Sequence, residues 1–326
     1  MFTQPWSVHR RCSLGVWPTP LHRAPDLGAV LGVSELWLKR DDLTGFSWGG
    51  NKVRTAEFLL GEALDGGVQE LVVCGGPSSN FVAILAAAAA TAGIAVTQVS
   101  YGCEPDRATA ALVAARATGA TVVFTESADR DTMETFGAEV VRQRNLRGVR
   151  ASLVPRGGAS VTGALGFVAA AAEIDAQLDE QLADAADTCM IVIPVGSGGS
   201  VAGLIAGAAL LGRRWRIVGV SVSRPPQRLR PLIDARVAQL IAELSGTRAE
   251  PEWELHDGLG AGFGAADVAE RDIARAVSSR TGLVVDPTYN AKALTWLYRQ
   301  PDSAGPVVYW NTGGALGALD ARSSPE

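Results

Sequence analysis

Histidine is scarce in this chain: His9, His22 and His256 are the only three in 326 residues. Their spacing matches no metal-binding motif, so no metal centre is expected. Cysteine is almost as sparse. Cys12, Cys74, Cys103 and Cys189 lie far apart with no C-x-x-C pair, which argues against a disulfide framework and a zinc knuckle and leaves reduced, mostly buried thiols. Positive charge is not in excess either. The formal net charge is −5, which gives no electrostatic reason to expect nucleic acid or an anionic membrane as partner, so a small anionic ligand would need a local site. No residue from Leu71 to Cys103 is charged, yet Gly75-Gly76-Pro77-Ser78-Ser79-Asn80 interrupts that stretch and leaves an apolar piece too short to cross a bilayer. The N-terminus also lacks the apolar region of a secretory leader, since His9-Arg10-Arg11 falls where that region would be. A cytoplasmic protein is expected.

What is present is an alternation. Short runs rich in Val and Ile are separated by longer Ala/Leu segments, the pattern of strands buried in a parallel sheet and of the helices that cross between them. Strands are expected at Glu35 to Lys39, Glu70 to Cys74, Ala95 to Tyr101, Thr121 to Phe124, Ala151 to Val154, Met190 to Pro194, Arg216 to Val222 and Val307 to Trp310. Helices fit Lys52 to Asp65, Asn80 to Ala92, Asp106 to Thr118, Thr132 to Asn145, Ser160 to Leu178, Ser200 to Leu211, Gln227 to Leu244, Ala266 to Gly282 and Tyr289 to Arg299. The sum is an α/β protein with mostly parallel twisted sheets flanked by helices. Ser223-Arg224-Pro225-Pro226 and Ala249-Glu250-Pro251-Glu252 read as surface connections.

Four segments carry candidate chemistry. In Gly49-Gly50-Asn51-Lys52-Val53-Arg54 a glycine pair lets backbone approach a ligand, and a helix opens at Lys52. The partial positive charge of a helix N-terminus disfavours an ammonium there and helps to keep the amine neutral and nucleophilic; the competing reading is a solvated surface lysine. The strand ending at Cys74 runs into Gly75 to Asn80 and then a helix, so Ser79 and Asn80 are either ordinary N-caps or part of a turn whose N–H groups hold a carboxylate. Gly196-Ser197-Gly198-Gly199-Ser200 follows a strand and opens a helix, an arrangement that presents several N–H donors to one anion or is simply a tight turn. No Gly-Lys-Ser/Thr follows, and no ribose-binding acidic residue is evident, so the phosphate of a small cofactor fits better than a nucleotide. Last, Thr312 sits where the final strand meets Asn311-Thr312-Gly313-Gly314, at the edge where open α/β sheets bind ligands; a threonine satisfying its own turn is the alternative.

Together these residues resemble the tryptophan-synthase-β type of pyridoxal 5'-phosphate (PLP) enzyme, and within it the branch of 1-aminocyclopropane-1-carboxylate (ACC) deaminase and D-cysteine desulfhydrase. The likeness runs through Pro18-Thr19-Pro20-Leu21, Lys39-Arg40-Asp41-Asp42, Gly49 to Arg54, Gly75 to Asn80, Pro155-Arg156-Gly157-Gly158, Gly196 to Ser200, Asp286 to Lys292 and Thr312-Gly313-Gly314. The resemblance implies that Lys52 carries PLP as a Schiff base, that Gly196, Ser197, Gly198, Gly199 and Ser200 surround the phosphate, and that Asn80 lies near the phenolic oxygen. It also places Thr312 near the pyridine nitrogen, Tyr289 beside the ring and Ser79 toward substrate, with Ser78, Asn80 and Phe263 completing the substrate side. Lys52, Ser79 and Tyr289 are the catalytic candidates. A larger domain of residues 1–44 and 155–326, a smaller inserted domain of 45–154 and a homodimer are implied as well.

The chain departs from that branch at three places. Ser78-Ser79-Asn80-Phe81 stands where Gln-Ser-Asn-His is usual, Gly262-Phe263-Gly264 where Gly-Tyr-Gly is usual, and Asn290 where ACC deaminase has Glu after the tyrosine. Losing an imidazole, a phenol and a carboxylate argues against ring opening of ACC and weakens a D-cysteine assignment. The expected activity is therefore Cα deprotonation and β-elimination from a small amino acid whose identity has diverged. β-Replacement and non-catalytic binding of PLP or an amino acid are the rivals.

Overall fold

The structure, a computed structural model, describes residues 5–182, 187–244 and 252–322. Among the described residues, ten strands form two sheets. Strands β1 (Leu21–Arg23), β2 (Leu36–Arg40), β7 (Met190–Val195), β8 (Arg216–Ser221), β9 (Trp253–Asp257) and β10 (Val307–Asn311) make a six-stranded sheet in the order β1-β2-β10-β7-β8-β9. Strands β3 (Glu70–Cys74), β4 (Ala95–Ser100), β5 (Thr121–Phe124) and β6 (Ala151–Val154) make a four-stranded sheet in the order β5-β4-β3-β6. Every pairing is parallel except β1 with β2.

Eleven α-helices among the described residues cover these sheets: α1 (Pro25–Leu31), α2 (Lys52–Asp65), α3 (Asn80–Thr91), α4 (Ala110–Ala117), α5 (Thr132–Leu146), α6 (Val161–Leu182), α7 (Gly199–Leu211), α8 (Pro226–Glu243), α9 (Val268–Thr281), α10 (Asn290–Tyr298) and α11 (Ala315–Arg322). With helices on both faces, a strand reads as an unbroken apolar run whose alternate residues enter different cores. In β7, Ile191, Ile193 and Val195 pack with α6 and α7, while Met190 and Val192 pack with α1 and α10. In β3, Leu71 and Val73 join α2 and α3, whereas Val72 and Cys74 meet Met133 of α5.

Helix α6 is long and apolar enough to cross a membrane by length and composition. Here it is a core helix: Phe167, Val168, Ile174 and Leu178 are buried, and its Glu173 accepts hydrogen bonds from Lys39 and Arg54.

All eight expected strands and nine expected helices are present, with ends moved by a few residues. The end of α6 moves from Leu178 to Leu182, and the start of α4, expected at Asp106, moves as far. Thr109 instead caps it, accepting from the Leu112 N–H at 3.2 Å and donating to the Pro77 carbonyl at 2.6 Å. Four elements were not expected: β1, β9, α1 and α11. Strand β1 has three residues and β9 carries charge along its length at a sheet edge, while α1 is seven residues long and opens on a proline. Residues 249–251 of the second expected surface connection lie outside the described residues.

Candidate active site

The carboxyl ends of β3, β7 and β10 and the N-termini of α2, α3 and α7 converge on one cleft of about 340 Å³. Lys52, Ser78, Ser79, Asn80, Gly196, Ser197, Gly198, Gly199, Ser200, Phe263, Tyr289 and Thr312 all line it, as does Phe81. Residues separated by up to 260 positions thus share one concavity.

Lys52 is placed by its neighbours in sequence. Gly50 has φ of 100°, and a Cβ there would lie 2.9 Å from the Thr312 carbonyl oxygen, so only glycine lets the chain pass. Asn51 then ties the start of α2 to the other two segments: its N–H donates to the Thr312 carbonyl at 3.0 Å and its Nδ2 to Ser200 Oγ at 3.0 Å. Three residues on, Arg54 is buried and clasped by Asp41 and Glu173, with N–O distances of 2.8 to 2.9 Å. Lys52 itself meets no carboxylate among the described residues. Its Nζ donates to the Gly157 carbonyl at 3.1 Å and lies 5.9 Å from the Phe81 ring centroid. Burial, and after it the charge of Arg236, pull the ammonium down to about 8.

The turn after β3 is braced from below. Gln98 Nε2 donates to the carbonyls of Gly75 and Gly76 at 3.0 and 3.2 Å. Ser79 does cap α3, accepting from the Val82 N–H at 3.3 Å, and it also faces the cleft, so both readings of this residue hold together. Asn80 Oδ1 is buried without a hydrogen-bond partner.

Beyond β7, Gly198 adopts φ of 87° at the N-cap of α7, a left-handed conformation suited to glycine, and no side chain caps the helix. Its first N–H groups therefore lack a side-chain partner at the end that carries partial positive charge. Ser197 Oγ is buried and unpartnered. Ser223 Oγ donates to the Gly196 carbonyl at 2.7 Å, and both Ser223 and Arg224 line the cleft. This corrects the reading of Ser223-Arg224 as a surface connection: they follow β8, the strand beside β7, at the carboxyl edge of the sheet.

Asp286 organises the remaining wall. Its carboxylate accepts from the N–H groups of Thr288, Tyr289 and Asn290 at 2.8 to 3.0 Å, which orients the turn carrying Tyr289. Burial, and then the charge of Asp286, push the Tyr289 phenol up to about 12, so it remains protonated at neutral pH. The Phe263 ring meets Tyr289 edge-on at 6.0 Å. Asn290 is turned into the core: its Nδ2 donates to Asp286 and the Gly313 carbonyl, and its Oδ1 accepts from Tyr309 at 2.9 Å.

Three arginines in or near the site carry no sequence signal that marks them. Arg130 and Arg224 line the cleft. Arg236 of α8 donates from Nη2 to the Ala159 carbonyl at 2.7 Å, while its Nη1 is buried without a partner.

Residues 12–313 match the family described as pyridoxal-phosphate dependent enzyme. A Pyrococcus horikoshii protein provisionally named a 1-aminocyclopropane-1-carboxylate deaminase is 31% identical over 312 residues, covering 95% of this chain and 93% of that protein. A D-cysteine desulfhydrase of Salmonella newport is 30% identical over 313 residues, covering 91% and 92%. Among solved structures, an ACC deaminase homologue superposes with a TM-score of 0.87 at 29% identity, over 97% of this chain and 96% of the other. The cleft built from Lys52, two helix-opening turns and a threonine at the sheet edge therefore lies in a chain that belongs to the pyridoxal-phosphate dependent enzymes, with PLP as its cofactor.

Proposed function

We propose that the chain is a PLP-dependent lyase or deaminase that removes the Cα proton of a small amino acid and eliminates a β-substituent. The observation that carries this reading is Lys52: an amine at the floor of the cleft, without a carboxylate partner and with its basicity lowered to about 8. Such an amine is close to neutral pH in its proton affinity, which suits both attachment of a carbonyl cofactor and proton transfer.

The surrounding groups fit the cofactor. Ser197 Oγ, Asn80 Oδ1 and Arg236 Nη1 are buried polar atoms lacking partners, and burial of such atoms is costly until something pairs with them. The uncapped start of α7 and the Gly196 to Ser200 loop would hold the phosphate, with Arg236 adding charge, Asn80 meeting the phenolic oxygen and Thr312 the pyridine nitrogen. When bound, PLP supplies an electron sink that lowers the cost of negative charge at Cα.

The chain's own groups then divide the work. Lys52, with its amine free, would move the Cα proton. Tyr289 remains protonated and serves as a hydrogen-bond donor or acid, not a base. Ser78, Ser79 and Asn80 present the α3 N-terminus to the substrate carboxylate. Phe81 and Phe263 place apolar rings where the related pattern has an imidazole and a phenol, which favours a substrate different from ACC or D-cysteine.

Residues 45–154, which include the four-stranded sheet, are assigned to a smaller domain and residues 1–44 and 155–326 to a larger one. A cytoplasmic homodimer completes the proposal. Borohydride reduction of the holoenzyme followed by peptide mapping should label Lys52. An unlabelled Lys52, or a panel of D- and L-amino acids that yields neither ammonia nor keto acid, would overturn the reading.

A further inference from the structure

Three guanidinium groups gather at the mouth of the cleft, and among the described residues only two carboxylates pair with them. Arg156 has both, Asp131 at 2.7 Å and Glu134 at 2.6 Å. Arg224 reaches Asp131 only at 3.7 Å, beyond hydrogen-bonding distance. The shared Asp131 side chain is 75% exposed, so water screens much of what it offers either arginine. Arg130 has no ion pair among the described residues. Its guanidinium lies 4.2 Å from the Phe263 ring centroid and 5.8 Å from that of Tyr101, and its Nε is buried without a hydrogen-bond partner.

These groups line the same cleft as Lys52. Tyr101 packs against Gly76, on the wall formed by the turn after β3. Phe263 lies edge-on to Tyr289, on the opposite wall. Arg130 therefore bridges the opening between the two walls, held by ring faces and not by a counter-charge. Burial, and then repulsion from Arg156, lower the proton affinity of Arg224, the mark of a cluster short of negative charge.

We propose that Arg130 and Arg224 bind a second anion on the substrate, which is an α-amino acid whose side chain bears a carboxylate, sulfonate or phosphate. This inference rests on the amino-acid reading above, in which the α-carboxylate already has its own place at the Ser78 to Asn80 turn. Planar guanidinium donors suit two-oxygen recognition of all three anions. A neutral side chain would leave the Arg130 donor buried and unmatched, and a basic one would meet like charge. Phe81 and Phe263 offer no polar selection, and Arg130 and Arg224 supply positive charge among the lining groups.

The test is titration of the holoenzyme, followed by the cofactor's own absorbance, with both enantiomers of alanine, serine, aspartate, cysteate and O-phosphoserine. At least one anionic amino acid should bind about 10-fold or more tightly than the neutral ones, the scale of a charge-assisted hydrogen bond. In Arg130→Met and Arg224→Met that ratio should fall toward one, while the unliganded cofactor spectrum is retained. The ratio is compared within each variant, so a general loss of affinity does not imitate the effect, and the order among aspartate, cysteate and O-phosphoserine identifies the anion. Equal binding of neutral and anionic amino acids by the unaltered enzyme, or a ratio that survives both substitutions, would overturn the inference and leave the amino-acid reading intact. So would a parallel loss for neutral and anionic ligands in Arg130→Met, which would place Arg130 on the α-carboxylate. If no amino acid perturbs the spectrum, the amino-acid reading falls and takes this inference with it.

Discussion

Lys52 and Arg54 lie on the same turn of one helix, and the protein treats their charges in opposite ways. Arg54 is clasped by Asp41 and Glu173, and those carboxylates raise its proton affinity against the opposing effect of burial. Lys52 has a carbonyl for company and another cation nearby, and its proton affinity falls to about 8. The difference teaches that burial alone decides neither role; a matched counter-charge makes a strut, and its omission makes a reactive group.

The largest expected effect sharpens that contrast. Lys52→Ala should lower turnover by at least about 100-fold, the scale of a lost acid/base group, while the thermal midpoint stays close to that of the unaltered apoprotein. Arg54→Met should do the reverse in character: it leaves Asp41 and Glu173 buried without their cation and should cost about 3–5 kcal/mol in a denaturant titration. If Arg54→Met unfolds no more readily than Lys52→Met, the contrast between strut and reactive amine is broken.

A smaller effect concerns pH. Because the neutral amine is the nucleophile and its proton leaves near 8, attachment of PLP to the apoprotein should accelerate as pH rises toward about 8 and level off above it. Arg236→Met removes a charge that lowers the Lys52 value, so the midpoint should move upward, with weaker retention of PLP in equilibrium dialysis. An unchanged midpoint would remove Arg236 from the environment of Lys52. Tyr289→Phe should have the smallest effect, a loss of about 10-fold or less that does not alter the pH profile near neutrality, since its phenol titrates only at about 12. A profile that changes shape near neutrality would mean that the phenol titrates in the working range after all.

The sequence made the central strands and the loops of the site legible for physical reasons. A strand buried on both faces, such as β7 or β3, is an unbroken apolar run, and a backbone that must turn into a helix beside a ligand announces itself through glycine, as at Gly50 and Gly198. Edge elements were harder: β9 alternates Trp253 and Leu255 with Glu254 and His256, but five residues are too few for that alternation to stand out. The arginines were illegible. Arg130 and Arg224 stand in polar segments where a solvated side chain is the ordinary outcome, and only folding brings those segments, about 90 residues apart, around one opening. Asn290 shows the converse: the motif marked its position, but its amide supports Asp286 and Tyr309 rather than facing the cleft.

The bonds from Asn51 to Thr312 and Ser200 make the position of Lys52 a property of distant chain. A fragment excised as residues 45–154 would contain the lysine, its helix and the four-stranded sheet, yet both hydrogen-bond acceptors would be missing. Excision would leave the amine present in composition and absent in place, so transplantation of this site requires the whole polypeptide.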